Sequence, residues 1–164
     1  MTESQRQPVP REDGGELDTA LAFLRFARES LVKKTAGLDE EQVRRVLVPT
    51  GTNLLGLVQH MTDGERYWFG HHVAGHEQDA APDFGMAVPA DRSTAEVLAD
   101  YRAACADSDA IIRAVGRPGS RIARPVDDEP KTLRWVLAHV ITETTRHAGH
   151  ADILRELIDG VTGR

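Results

Sequence analysis

Three histidines and a glutamate sit close together in one helical stretch near the C-terminus, at spacings that metal ligands use. On a wheel of about 100° per residue with His139 at 0°, Glu143 falls at about 40°, His147 at about 80° and His150 at about 20°. Glu143 and His147 are four residues apart, so both side chains can meet at a single cation. This stripe borders the apolar arc of Leu137, Val140, Thr144, Ala148 and Ala151. A second stripe, over residues 52–74, centres on His60, with Asn53, Gly56, Gly64, Tyr67 and His71 within about 40° of it. A mid-helix glycine costs ~1 kcal/mol relative to alanine, so Gly56 and Gly64 suggest room kept above the His60 ring. Imidazoles and a carboxylate beside a core are either paired and hydrogen-bonded, which is the plainer reading, or bound to a metal.

Other reactive residue types carry less. His71, His72 and His76 read as a surface cluster at a helix end, where Gly75 spoils the i,i+4 geometry. Cys105, near Leu98, Tyr101 and Ile112, reads as a small core residue and not as a nucleophile. The chain has no Ser–His–Asp order, no phosphate-cradling glycine loop and no HExxH motif.

The elements that must position these residues are helices. Leu17, Leu21, Leu24, Ala27 and Leu31 recur at three- and four-residue steps and stop at Gly37, which predicts a helix over 17–36. Asp39 can cap a short helix over 40–47, ended by Pro49. The His60 stripe predicts a helix over 52–74 whose apolar arc is Leu54, Leu57, Val58, Met61 and Trp68. Ser93 with Glu96 is a capping-box pattern opening a helix over 94–115, and Thr132 can cap another over 133–158. The stretches 76–92 and 117–131 hold the intervening Pro and Gly residues and read as loops. Val46–Val48 is the only β-like run and is too short to count as a strand. Four long amphipathic helices predict an all-α four-helix bundle over residues 16–164, after a tail over 1–15 of disordered composition.

At 164 residues this is one domain, large enough to fold without staples. Its net charge of −6 argues against nucleic acid or an anionic membrane surface as a partner. A single cysteine excludes a disulfide framework and a Cys-only zinc site. No apolar run approaches a membrane span and the polar start is no signal peptide, so a cytoplasmic protein is expected. Arginines outnumber lysines 17 to 3 and there are 20 alanines, a GC-rich codon usage that suggests a high-GC bacterial source.

The segments TNLLGLVQHMTDGERYWF (52–69) and LRWVLAHVITETTRHAGHADILRELIDG (133–160) resemble the DinB-like superfamily of metal-binding four-helix bundles. Within it the chain is similar to the actinobacterial branch of mycothiol-dependent maleylpyruvate isomerase and related thiol S-transferases. That resemblance implies a divalent metal held by His60, Glu143 and His147, with water or a thiol in the remaining position. Zinc is favoured; nickel, iron and manganese suit the same donors. His139, His150 and Tyr67 are then candidates for orienting the ligands. His150 falls where many members carry a glutamine.

The activity implied is transfer of a low-molecular-weight thiol, mycothiol in actinobacteria, to a small electrophile. Gly56 and Gly64 are expected to give the thiol its clearance. The isomerase carries an additional C-terminal domain and this chain ends at Arg164, so maleylpyruvate isomerisation itself is not expected. The alternative class is a non-catalytic metal-binding bundle with a stress-response or interaction role. The resemblance also allows a homodimer, and no exposed apolar patch is readable in the sequence.

Overall fold

The computed structural model describes residues 8–78 and 81–162. Five α-helices follow in order: α1 (Glu16–Lys33), α2 (Glu40–Arg44), α3 (Leu54–Glu65), α4 (Thr94–Val115) and α5 (Leu133–Asp159). α3 runs directly into a π-helical segment, Arg66–Val73. The described residues contain two isolated β-bridges, Arg121 with Thr132 and Val126 with Glu129, and no strand. The all-α expectation is met. The first seven residues of the expected tail lie outside the described residues, and 8–15 carry no helix. No described helix is long and apolar enough to cross a membrane.

The helix starts show which sequence signals were sound. Asp39 and Ser93 each head a complete capping box, with Gln42 and Glu96 returning the bond to the cap backbone. Asn53 caps α3 by accepting from the Gly56 N–H. Thr132, by contrast, makes no side-chain cap. The first N–H groups of α5 go instead to loop carbonyls: Leu133 N donates to Ser120 O at 3.0 Å and Arg134 N to Pro118 O at 2.7 Å. The 117–131 loop thus does the work that a capping side chain does elsewhere. α1 also ends three residues early, at Lys33, in a turn that reaches Gly37 at φ 77°.

α1 lies along α5, and α3 lies against both α4 and α5. Burial of one stripe per helix builds two apolar clusters. One gathers Leu31, Leu54, Leu57, Val58, Tyr101 and Leu154; the other gathers Leu24, Phe69, Ile112, Leu133, Val136 and Val140. The first packs α3 on α5, and that pairing brings the two candidate stripes face to face.

The buried polar content was not anticipated. Arg28 on α1 forms a two-bond pair with Glu65, Nε to Oε1 at 2.8 Å and Nη2 to Oε2 at 2.6 Å, and also bonds Asp109 at 2.7 Å. Glu65 is wholly buried. Burial opposes the Arg28 charge, yet the Glu65 and Asp109 carboxylates more than offset it and raise its pKa further.

Candidate functional site

Three of the predicted donors come together where α3 faces α5. The ring centroids of His60 and His147 stand 4.6 Å apart, at 71° to one another. His147 Nε2 is 3.7 Å from Glu143 Oε2, while the other oxygen of that carboxylate pairs with Arg146 at 3.1 Å. His147 is buried, and its Nδ1 has no hydrogen-bond partner. Its pKa is pushed down to about 4, first by burial and then by the neighbouring His60, against the opposing pull of Glu143. His147 is therefore a neutral imidazole at neutral pH, the form that binds metal.

The donor set suits a borderline divalent cation in kind: two imidazoles and one carboxylate, one imidazole buried with an unused nitrogen. The side chains are neighbours and not yet a cage. Among the described residues no three His, Cys, Asp or Glu side chains are already arranged to hold an ion.

His60 is fixed from the other side. Its Nδ1 lies 2.9 Å from the carbonyl oxygen of Phe84, in the loop that follows the π segment. The Phe84 ring stands edge-on to both His60 and Tyr67, each at 5.6 Å. That loop overturns the expectation for Gly56. A Cβ there would lie 2.4 Å from the Met86 carbonyl oxygen, so the space the glycine leaves is filled by loop backbone and not kept for a thiol. Gly64 is different again, since a Cβ would meet only Met61 Cε at 3.8 Å.

A model of the mycothiol-S-transferase family matches residues 19–160. The chain belongs to that family. No curated protein matches the chain. The match runs from within α1 to just past the end of α5, so the two stripes and the loop over His60 all lie within the mycothiol-S-transferase region.

The remaining histidines of this S-transferase family member are placed more variously. His150 is exposed, its ring 5.5 Å from that of His147. His139 is held by tryptophans, stacked on Trp135 at 5.3 Å and edge-on to Trp68 at 4.3 Å. Burial lowers its pKa, and Glu143 partly restores it. Tyr67 stacks on His71, meets His72 edge-on and also contacts Phe84, whose ring in turn meets His60.

The cluster of His71, His72 and His76 is not wholly at the surface as expected. His72 is buried, its Nδ1 3.3 Å from Arg124 O, its Nε2 without a partner and its ring stacked on Trp68. On the 100° wheel His72 lies about 120° from His60, on the apolar arc, which was the available signal. Arg28 and Glu65 give the same signal, each falling on the apolar arc of its helix. Cys105 is as expected: burial first, then Glu65, push its thiol up to about 12, so it is no thiolate nucleophile. It lines a cleft of about 680 Å³ with Arg28 and Tyr101, away from His60, Glu143 and His147.

Proposed function

We propose that this chain transfers mycothiol to a small electrophile at the site formed by His60, Glu143 and His147, with a divalent cation, zinc first, held by those three side chains. The observation that carries the reading is the meeting of α3 and α5 donors, His60 beside His147 and His147 beside Glu143, in a mycothiol-S-transferase chain. Bound there, the cation would supply Lewis acidity that lowers a thiol pKa, ordinarily near 8.5, into the neutral range.

The protein's own part is positioning. His147 contributes a neutral ring whose orientation is set by burial between α3 and α5. Glu143 contributes the single anionic donor, which leaves a divalent centre positively charged and attractive to a thiolate. The Phe84 carbonyl holds the His60 ring from outside. In the reaction the sulfur loses its proton to solvent or buffer base and forms a C–S bond to the electrophile. A proton returns to the product on addition, or a leaving group departs on substitution.

The test compares conjugation rates with mycothiol across a panel of small electrophiles for metal-loaded, metal-stripped and Glu143→Ala protein. A metal-dependent rate that Glu143→Ala lowers by a hundredfold or more supports the proposal. Equal rates in all three, after subtraction of the uncatalysed reaction, reject it and leave the non-catalytic bundle.

A further inference from the structure

We infer that the segment 84–86, admitted by Gly56, is a positioning device that locks the His60 ring with its proton on Nδ1 and its Nε2 lone pair turned to the site. This deepens the proposed function in one respect only, by taking His60 as a donor; the ring lock itself stands without it.

Three residues spaced three and four apart on one face of α3 carry the inference. Asn53 accepts from Gly56 N at 2.8 Å through Oδ1, and its Nδ2 donates to Met86 O at 3.0 Å. Gly56 then lets that carbonyl sit where a Cβ would stand 2.4 Å from the oxygen and 3.0 Å from its carbon. Both contacts involve backbone, so the strain of an added methyl cannot be relieved by turning a side chain. His60 closes the set with Nδ1 at 2.9 Å from Phe84 O. A carbonyl oxygen only accepts, so the hydrogen must be on Nδ1, and the neutral ring keeps its lone pair on Nε2. The same loop is anchored downstream, where Arg44 donates to Val88 O at 3.1 Å and Arg92 donates to Gln59 at 2.7 Å. The glycine is therefore a specific requirement of the loop's approach, made at a point one helical turn from His60.

The experiment uses the full chain with ¹⁵N-labelled histidine. Long-range ¹H–¹⁵N correlation in metal-free protein at pH 8 reads the His60 tautomer, and chelator competition reads the zinc dissociation constant. Wild type should show Nδ1–H at His60. Gly56→Ala should shift His60 toward Nε2–H and weaken zinc binding tenfold or more, the size expected of a lost partner to a ligating histidine. Asn53→Ser keeps a capping oxygen but loses the amide that reaches Met86 O, and should move both readouts the same way if Gly56→Ala does not fold. Gly64→Ala, whose Cβ meets only Met61 Cε at 3.8 Å, should leave both unchanged.

An unaltered His60 tautomer in Gly56→Ala, or in Asn53→Ser where that variant replaces it, overturns the inference. A wild-type protein that shows the Nδ1–H form, loses it in the variants and binds no zinc supports the lock while rejecting the metal reading of the proposed function.

Discussion

At the scale of single residues, the buried charges of this protein divide into those that are paired and those that are kept neutral. Arg28 and Glu65 are the paired kind: both are buried, and each satisfies the other with two bonds. Removing Glu65 leaves Arg28 charged in an apolar interior with only the partly exposed Asp109 to offset it. Glu65→Ala is therefore expected to cost about 3–5 kcal/mol in urea unfolding, whereas Arg28→Met with Glu65→Leu should be close to neutral. A loss below about 1 kcal/mol in the single variant would show that Asp109 or water satisfies Arg28 in its place. His147 is the neutral kind. Its folded pKa of about 4 lies below the ordinary imidazole value, so the unfolded chain binds the proton first as pH falls. Stability of the metal-free protein should be full above about pH 6.5 and decline from there toward pH 4. His72 and His139, both lowered chiefly by burial, add to the same slope. Thermal midpoints measured at pH 7 and pH 5 should differ less in His147→Asn than in wild type.

At the scale of elements, the helix ends separate two ways of satisfying the same backbone groups. Ser93 supplies its cap from a side chain, so Ser93→Ala should lower stability by about 1 kcal/mol. Thr132 makes no such bond, the loop carbonyls of Ser120 and Pro118 having taken the N–H groups of α5, so Thr132→Ala should stay within about 0.5 kcal/mol of wild type. Equal losses in the two variants would contradict this division. The contrast also marks what can be read from a sequence. Ser93–Glu96 and Asp39–Gln42 are local patterns complete within four residues, and both are realised. Thr132 was outcompeted by atoms twelve and fourteen residues away, which no local pattern reveals. The same holds for the π segment. The stripe of His60, Gly64, Tyr67 and His71 assumes 100° per residue throughout, and the wider turn from Arg66 to Val73 breaks that register. That His60, Glu143 and His147 are neighbours was legible because all three lie on regular α-helix. Gly56 was legible as a special position and not in its purpose, because the Met86 carbonyl arrives from thirty residues downstream.

At the scale of the whole molecule, the proposed donors come from two helices that are far apart in sequence, His60 from α3 and the other pair from α5. A cation held by all three would tie those helices in the folded state alone, since the unfolded chain offers no comparable set of donors. Mass action then gives a stabilisation that depends on free metal, about 2.7 kcal/mol at a concentration one hundred times the dissociation constant. For a chain of this size that corresponds to a rise in thermal midpoint of roughly 5–10 °C. Zinc should produce such a rise in wild type, and excess EDTA should reverse it. Glu143→Ala should lose most of it while its metal-free midpoint stays near that of wild type, because Glu143 is only partly buried and its remaining partner, Arg146, is exposed. The pH arm follows from the imidazoles: protonation competes with the cation, so the rise should shrink between pH 7 and pH 5.5. An equal rise in Glu143→Ala and wild type would place the bound zinc somewhere other than between α3 and α5, and the S-transferase mechanism proposed for this chain would have to be built on a different site.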